Sequence, residues 1–295
     1  MLDVVSECAP AKINLHLKVF PKRSDGYHPI ESIFQTIPLY DDIVVRRTED
    51  ELSCVVKCDA MELPKENTLT KTYTLFSQFS GIKTGVFVEL TKRIPSGAGL
   101  GGGSSDAATF LQCLNKMFDY PLNRSQMEQI ANLVGSDVLF FLSGGAAIVT
   151  GRGDVVRSIS IRDDLCFVVV YPDVHCSTAE AYSLVDEYLA LGETDVEPTL
   201  QEVEKMYYEP ISEWRFLNTF TNPVGAKFPV ILEVIDSLKS FGADYVQMSG
   251  SGSTVFGVFS DFNLGKDTCT NLRKIWKECY CLFPNIQNTQ MSSFS

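Results

Sequence analysis

Fourteen residues, Pro95–Ala108 (PSGAGLGGGSSDAA), carry most of the information in this chain. Five of them are glycines, at positions 97, 99, 101, 102 and 103, and they follow the strand-like run Val86–Thr91. A helical pattern begins near Ser104, so the glycines join a strand to a helix. Glycine adopts positive φ and lets a ligand approach the main chain, while the helix adds N-terminal amides and partial positive charge. The stretch therefore predicts a loop that binds nucleotide phosphates.

Other glycine-rich motifs fit the stretch less well. The P-loop pattern GxxxxGK[ST] does not occur, and GLGGGS lacks the sixth-position glycine of the dinucleotide-binding fingerprint. A flexible Gly/Ser linker is disfavoured because apolar residues surround the glycines, among them Ala98, Leu100, Phe110 and Leu111. A phosphate loop is the favoured interpretation.

The composition is that of an ordinary globular protein. The chain has 295 residues, of which 45% are hydrophobic and 21% charged, enough for one large domain or two smaller ones. The net charge of −12 argues against nucleic-acid or anionic-membrane partners. No apolar run reaches the length of about 20 residues that spans a bilayer, and the acidic start Met1–Glu7 does not resemble a signal peptide.

The nine cysteines and three histidines do not suggest a metal centre. Neither Cys54–Cys58 nor Cys279–Cys281 has a second pair of ligands to complete a tetrahedral site, so no metal-ligating residue is predicted. Several cysteines lie in apolar strands and are typical of free thiols in a cytoplasmic protein.

The residues Lys12–Val19 alternate between apolar and polar side chains. The alternation predicts a half-buried strand in which Lys12 and Asn14 point the same way. Two further strands are expected at Ser32–Ile37 and Ile43–Arg47. A helix is expected at Asn67–Phe79, and another after the glycine loop.

The second half of the chain has a different element order. From Leu165 onward the pattern is strand, helix, strand, strand, helix, strand, which is typical of a ferredoxin-like domain. A domain boundary near Gly151–Arg162 gives an N-terminal domain over 1–155 and a C-terminal domain over 156–295. The acidic stretch Gly192–Glu213 is expected to be a solvated surface segment.

Two short segments have both a structural and a functional interpretation. Ser249–Ser253 (SGSGS) is either a hairpin turn or a second small-residue wall beside the same nucleotide. Asp137, between Gly135-Ser136 and an apolar run, is either a helix N-cap or a carboxylate that accepts a proton from a substrate hydroxyl. Asp106 is expected to be a first-turn partner of the helix dipole rather than a catalyst.

The turn Asp25–His28 (DGYH) also has two interpretations. It is either an ordinary loop with a half-buried tyrosine, or a site where Tyr27 stacks on a base and His28 hydrogen-bonds its edge. The spacing alone does not decide between them.

Taken together, these motifs resemble the GHMP kinase superfamily of ATP-dependent small-molecule kinases, and the resemblance spans nearly the whole chain. The opening strand combined with DGYH and GLGGGSSDAA indicates the branch that phosphorylates a cytidine-diphosphate-linked methylerythritol in non-mevalonate isoprenoid synthesis. The matching segments are PAKINL at 10–15, DGYH at 25–28, FQ at 34–35, NTL at 67–69, KRIP at 92–95, the glycine loop, GSDV at 135–138 with FF at 140–141, residues 144–153 and SGSGS at 249–253.

The resemblance implies an α+β GHMP kinase fold, with a ribosomal-S5-like N-terminal domain and a ferredoxin-like C-terminal domain. It implies Asp137 as general base and Lys12 as the residue that orients the substrate hydroxyl, with ATP and Mg²⁺ as cofactors. The implied ATP-binding residues are Asn67 and Lys92 near the adenine, and Pro95, Gly97, Ala98, Gly99, Leu100, Gly101, Gly102, Gly103, Ser104 and Ser105 around the phosphates.

The implied substrate contacts lie elsewhere in the chain. Tyr27 and Tyr182 are expected to sandwich the cytosine, His28 to read its edge, and Asn14 and Thr178 to contact the methylerythritol end. The expected partner is this small molecule, with no nucleic acid and no membrane, and the protein is expected to act as a monomer or homodimer. Two alternatives remain open, namely another small-molecule GHMP kinase or a nucleotide-binding regulator on the same fold that has lost catalysis.

Overall fold

The structure, a computed structural model, describes residues 1–190 and 198–283. The chain divides into two units. Unit 1 holds Met1–Ala11, Leu39–Ser96 and Gly101–Gly144, and unit 2 holds Lys12–Pro38, Gly97–Leu100 and Gly145–Ser295.

The strands are β1 (Val4–Val19), β2 (Ile30–Glu51), β3 (Cys54–Cys58), β4 (Thr84–Thr91), β5 (Ala146–Thr150), β6 (Val155–Ile159), β7 (Cys166–Tyr171), β8 (Tyr245–Met248), β9 (Val255–Phe259) and β10 (Glu278–Leu282). The helices are α1 (Thr68–Ser80), α2 (Gly102–Met117), α3 (Arg124–Val134), α4 (Val138–Ser143), α5 (Thr178–Ala190), α6 (Leu200–Tyr207), α7 (Thr221–Lys227), α8 (Pro229–Ser240) and α9 (Phe262–Leu272), with a 3₁₀ turn at Ile211–Glu213.

In unit 1, strand β4 pairs on both of its edges. Asp42–Arg47 of β2 runs antiparallel to it, and β3 runs parallel to it. Alternate β4 side chains, Val86, Val88 and Leu90, are buried, as expected for a strand with one face on the core. This pairing fixes the end of β4, where the chain enters the glycine loop.

Helix α2 lies in the core of unit 1, packed against α1 and α4. Its buried residues surround most of the helix and include Ala107, Ala108, Phe110, Leu111 and Leu114. A helix this buried is held by close packing on several sides, because interiors tolerate little displacement. The position of its first residue, Gly102, is therefore set by the core.

In unit 2, the β1 segment Lys12–Val19 is buried on both faces. Its polar side chains Lys12, Asn14 and His16 are 4%, 1% and 0% exposed. The prediction of a half-buried strand is therefore wrong, because other parts of the unit cover the polar face. The main chain of Leu17, for example, is hydrogen-bonded to Leu217 and Thr219.

His16 is a buried imidazole on this strand. Its Nδ1 accepts a hydrogen bond from the Leu217 N–H at 3.3 Å. Burial lowers the pKa of His16 to about 4, and the nearby positive charge of Lys18 adds to the effect. The ring is therefore neutral at neutral pH.

The C-terminal sheet of unit 2 has the strand order β10-β7-β9-β8, and all its pairs are antiparallel. Helix α8 packs on β8 and β9, while α9 packs on β7, β9 and β10. Numbered along the chain, the four strands lie in the order 4-1-3-2 of a ferredoxin-like sheet. The predicted order of elements from residue 165 is confirmed, with α6 and α7 as additional helices between α5 and α8.

Two predictions about local structure are wrong. Ser32–Ile37 and Ile43–Arg47 belong to one strand, β2, which continues through Pro38. Pro38 lies between the β5 pairing, which ends at Gln35, and the β4 pairing, which begins at Asp42. Neither pairing needs its missing N–H, so the proline does not interrupt the strand.

The other wrong prediction concerns the acidic stretch 192–213, of which residues 192–197 lie outside the described residues. Helix α6 forms part of it and buries Val203 and Tyr207 completely. The Tyr207 hydroxyl donates to Gln35 Oε1 at 2.7 Å and accepts from the Arg162 N–H at 2.8 Å. The segment is therefore anchored to the core of unit 2 and is not simply a solvated surface. The domain boundary near residue 155 stays a prediction.

Candidate functional site

The backbone of the glycine loop has the conformation that its sequence predicts. Gly97, Gly99 and Gly101 have φ values of 67°, 80° and 71°, in the left-handed region. Gly101 is the N-cap of α2 and supplies no side-chain cap. A helix start without a side-chain cap, preceded by left-handed glycines, presents main-chain amides to an anion.

The serine loop, Ser249–Ser253, packs directly against the unit 2 part of the glycine loop. Ser249 Oγ donates to the Gly99 carbonyl oxygen at 2.9 Å, and the Thr254 N–H donates to the Ala98 carbonyl oxygen at 3.3 Å. A β-carbon at position 99 would overlap the Ser249 carbonyl oxygen. The segment is the hairpin loop that joins β8 to β9, so the first interpretation is confirmed. Its packing against the glycine loop is compatible with the second interpretation, and a wall beside the nucleotide stays a prediction.

His175 also lies against the glycine loop, although the sequence gives no sign of it. A β-carbon at Gly97 would be 2.7 Å from His175 Cε1 and 2.8 Å from its Nδ1. Gly99 is therefore required by main-chain neighbours as well as by its positive φ, whereas at Gly97 the positive φ is the stronger constraint because the exposed His175 side chain can move aside.

Lys12 and Asn14 point the same way, as the alternation predicts. Lys12 Nζ donates to Asn14 Oδ1 at 2.6 Å and lies 4.5 Å from the centroid of the Phe34 ring. Asn14 Nδ2 donates to Ser32 Oγ at 3.1 Å, and the Asn14 N–H donates to Ser249 Oγ at 3.3 Å. The arrangement holds a buried ammonium in a defined position.

Strand β1 is tied to the glycine loop through the main chain. The Lys12 N–H donates to the Leu100 carbonyl oxygen at 2.9 Å. With Ser249 bonded to both Asn14 and Gly99, unit 2 brings together the strand that carries Lys12, the glycine loop and the serine loop.

Asp137 stands at the N-cap position of α4 in unit 1, but it is not an N-cap in the chemical sense. Its φ and ψ are −79° and −12°, and its side chain makes no capping hydrogen bond. The carboxylate is half-buried. The capping interpretation of Asp137 is therefore wrong, and the functional carboxylate stays a prediction.

Asn67 and Lys92 both engage in contacts within unit 1. Asn67 caps α1 and forms a capping box with Thr70. Lys92 Nζ lies 2.5 Å from Asp41 Oδ2 and 2.8 Å from Asp106 Oδ2, and the three side chains are almost completely buried. We call Asp41, Lys92 and Asp106 the charge cluster.

The prediction that Asp106 is a first-turn dipole partner is wrong. Helix α2 begins at Gly102, so Asp106 lies beyond the first turn, and its carboxylate faces Lys92. Burial raises the pKa of Asp106 to about 7; Lys92 opposes the shift and Asp41 adds to it. Sequence reasoning missed Asp41 altogether, because no local motif marks it.

Three aromatic residues of unit 2, His28, Tyr182 and Phe220, form a group with Asp186 that is called here the His28 cluster. The His28 and Tyr182 rings stack with centroids 4.7 Å apart, and Phe220 meets Tyr182 edge-on at 5.0 Å. His28 Nε2 lies 2.7 Å from Asp186 Oδ1, so the carboxylate orients the imidazole. Asp186 was not predicted, since nothing in its sequence context distinguishes it.

Of the other predicted substrate residues, Tyr27 and Thr178 lie near the surface of unit 2, whereas Asn14 is buried. Tyr27 is 53% exposed, and the Arg152 guanidinium lies 4.7 Å from its ring centroid. Thr178, the first residue of α5, has its Oγ1 3.5 Å from Ser251 Oγ in the serine loop. The structure thus pairs His28 with Tyr182 and Thr178 with the serine loop.

In residues 1–190 and 198–283, no group of three or more His, Cys, Asp and Glu side chains is arranged to hold a metal ion. No helix in those same ranges is long and apolar enough to span a membrane.

The glycine loop, the buried Lys12 and the ferredoxin-like sheet are features of a small-molecule kinase of the GHMP class. The GHMP kinases N terminal domain model matches residues 67–145, and the GHMP kinases C terminal model matches residues 200–278. The chain belongs to the 4-diphosphocytidyl-2-C-methyl-D-erythritol kinase family within that class.

Membership rests on similarity over nearly the full length. The chain is 38% identical to the Treponema pallidum kinase of that name, over 93% of this chain and 96% of the relative. It is 39% identical to the Thermotoga maritima kinase of the same name, over 84% and 90%. A crystal structure of a 4-(cytidine 5'-diphospho)-2C-methyl-D-erythritol kinase superposes with a TM-score of 0.80 at 29% identity, covering 94% of this chain and 98% of the other.

Proposed function

We propose that this kinase transfers the γ-phosphoryl group of ATP to the 2-hydroxyl of 4-diphosphocytidyl-2-C-methyl-D-erythritol, called here the cytidyl alcohol. The substrate is the one named for relatives at up to 39% identity. The observation that carries the proposal is the hydrogen bond between the Lys12 N–H and Leu100. This bond holds β1, which carries the buried Lys12 ammonium, beside the glycine loop. Phosphoryl transfer to a bound alcohol depends on such positioning of charged groups and phosphate donors.

In this proposal the loop holds the ATP phosphates. The amides of residues 97–103 bind phosphate oxygens, with Ser104 and Ser105 at the helix start, where their own N–H groups donate to the Gly101 carbonyl oxygen. Pro95 starts the loop and Asn67 lies on the adenine side. Phosphoryl transfer requires mainly positioning and neutralisation of developing charge, which oriented amides provide. Mg²⁺ enters as part of the MgATP complex, since it is commonly held by phosphates and water with few protein ligands.

Asp137 and Lys12 act on the acceptor hydroxyl in this proposal. Asp137 takes the proton as the oxygen attacks the γ-phosphorus, and the Lys12 ammonium orients the hydroxyl and favours its ionised form. The capping role that competes with this function is not performed by the Asp137 side chain.

The cytidyl end is assigned to unit 2. Tyr27 and Tyr182 stack on the cytosine, and Asn14 and Thr178 contact the methylerythritol. His28, oriented by the bond between its Nε2 and Asp186, reads the edge of the cytosine. The proposal also places the enzyme in the cytoplasm, as a monomer or homodimer.

The test is ADP release with MgATP and the cytidyl alcohol. Asp137→Asn is expected to lower turnover by roughly 10²- to 10⁴-fold, the usual contribution of a positioned base, and Lys12→Ala by a comparable factor. Asp119→Asn and Lys18→Ala are matched controls, because Asp119 is exposed and Lys18 follows Lys12 on β1.

Full activity of Asp137→Asn would overturn the assignment of the base. ATP binding without turnover on the cytidyl alcohol would leave two alternatives. Turnover of another alcohol, such as homoserine or mevalonate, would identify a different GHMP kinase, and no turnover at all would indicate a regulator.

A further inference from the structure

The charge cluster lies where the chain enters and leaves the glycine loop. Asp41, in β2, is fully buried and accepts the main-chain N–H groups of Arg93 at 2.5 Å and Ile94 at 2.8 Å. The same carboxylate pairs with Lys92, whose ammonium reaches Asp106 in the second turn of α2. One lysine and two carboxylates therefore connect the segments on the two sides of the loop.

The start of α2 is shaped to admit the lysine. A β-carbon at Gly102 would be 3.2 Å from Lys92 Nζ and 3.1 Å from Ile94 Cγ2. Glycine at this position, which has no need of positive φ, lets the lysine pass beside the helix start. Position 102 is thus part of the connection as well as part of the loop.

A buried ion pair is weak evidence for stability, because desolvation offsets most of the Coulombic attraction. What a buried ion pair can contribute instead is a defined geometry for the segments that carry its members. Here the charge balance supports that role, since two carboxylates face one ammonium and burial favours a proton on one of them. The Asp106 pKa near 7 is consistent with this, and its second oxygen, Oδ1, has no hydrogen-bond partner among the described residues.

We propose that Asp41, Lys92 and Asp106 are positioning residues that fix the spacing of the two segments flanking the glycine loop and so preorganise its amides for the ATP phosphates. The inference rests on the proposed function. It gives Lys92 a different role from the predicted adenine contact, because its ammonium is already held by two buried carboxylates. A loop whose ends are fixed loses less entropy when ATP binds.

A binding experiment that compares the dissociation constant of ATP with that of the cytidyl alcohol tests the proposal. We expect Asp106→Asn and Asp41→Asn each to raise the ATP dissociation constant by about tenfold, the effect of weakening one hydrogen bond to a charged group. Calorimetry should show the dissociation constant of the cytidyl alcohol unchanged within about twofold, and kcat at saturating ATP should fall by less than about threefold.

Glu89→Gln is the matched control for these variants. Glu89 forms an exposed ion pair with Arg46 across the same two strands, β4 and β2, and the change is again from carboxylate to amide. Its ATP dissociation constant should equal that of the wild type. If Asp106→Asn does not fold, Asp41→Asn still tests the proposal, because the introduced side-chain amide retains an oxygen for the main-chain N–H groups.

The pH dependence provides a readout that general loss of structure would not give. The charged groups that act on Asp106 are Lys92, at the end of β4, and Asp41, in β2; the helices packed against α2 add none within the described residues. As pH rises from 6 to 8, Asp106 loses its proton and its contact with the Lys92 ammonium strengthens, so the segments beside the loop are held more firmly. ATP affinity should therefore rise by at least about twofold more in the wild type than in Asp106→Asn, while the titration of ATP itself is common to both.

Unchanged ATP affinity in both folded variants would overturn the positioning role, and so would an equal loss of affinity for both ligands. Because ATP binding is measured without turnover, these outcomes are distinct from failure of the proposed function. That failure would appear as an inactive wild type whose ATP affinity still depends on Asp106.

Discussion

The glycine loop and the His28 cluster, both represented in unit 2, are built in opposite ways. The loop segment Gly97–Leu100 is shaped mainly by main-chain contacts, with the Ser249 carbonyl beside Gly99 and the Thr254 N–H bonded to the Ala98 carbonyl oxygen. The His28 cluster is shaped by side chains, through ring stacking and the bond to Asp186. A substitution in the glycine loop therefore changes the path of the backbone, whereas a substitution in the His28 cluster removes a single side-chain contact.

The largest effect is expected for Gly99→Ala, which tests the main-chain half of the comparison. Alanine disfavours the φ of 80°, and its β-carbon would overlap the Ser249 carbonyl oxygen. The resulting displacement should weaken ATP binding by about 10²-fold, measured by calorimetry.

The control for this substitution is Gly81→Ala. Gly81 also has a positive φ, of 75°, but nothing lies within 4 Å of a β-carbon there. It should lower stability and leave ATP affinity intact. Wild-type ATP affinity in Gly99→Ala would contradict the rigid main-chain wall.

An effect of comparable size is expected from acid, and it concerns β1, the strand that is hydrogen-bonded to the glycine loop. His16 has a folded pKa of about 4, below the value near 6.5 of an unfolded chain, so the unfolded state takes up the proton first as the pH falls. The His16 contribution to the free energy of unfolding is complete above about pH 6.5 and should decline by roughly 3 kcal/mol toward pH 4.

Urea unfolding at pH 7 and pH 4.5 measures this contribution. His16→Asn should lose the His16 part of the pH dependence, because its amide oxygen can replace Nδ1 as the acceptor for Leu217. The exposed His175 offers the control His175→Asn, which should retain the wild-type slope. An unaltered slope in His16→Asn would exclude His16 as the source.

The smallest effect is expected for Tyr27→Ala, which tests the side-chain half. Tyr27 is 53% exposed, so its removal should not disturb the core. Loss of one stacking partner should weaken binding of the cytidyl alcohol by about 1–3 kcal/mol and leave ATP binding unchanged. The similarly exposed Tyr208 supplies the control Tyr208→Ala; equal losses for both ligands would show that the two regions are not independent.

Features that depend on residues close together in the chain could be predicted from the sequence, whereas features that depend on residues far apart could not. The shared face of Lys12 and Asn14 follows from two-residue alternation, and the helix after the glycines follows from local composition. The burial of that same face depends on Ser32 and Leu217, which no local pattern connects to it. Likewise the serine loop lies 150 residues from the glycine it contacts.

The carboxylates that pair with Lys92 and His28 could not be predicted from the sequence either. Asp41 approaches Lys92 only because β2 pairs with β4, and Asp186 approaches His28 only because α5 packs near the DGYH turn. Each carboxylate sits in an unremarkable context, so its role depends on tertiary structure. By contrast, the loop glycines with positive φ can be recognised from the sequence alone, because glycine is the residue type that such a backbone conformation favours.

The Ser249 carbonyl beside Gly99 also has a consequence for inhibition. A compound that binds the amides of the glycine loop would depend on atoms that every residue type supplies, and position 99 has no space for a side chain that could obstruct the compound. A compound that stacks on Tyr27 would depend on one exposed ring that a single substitution removes. Resistance should therefore arise more readily against cytosine mimics than against ligands of the loop amides.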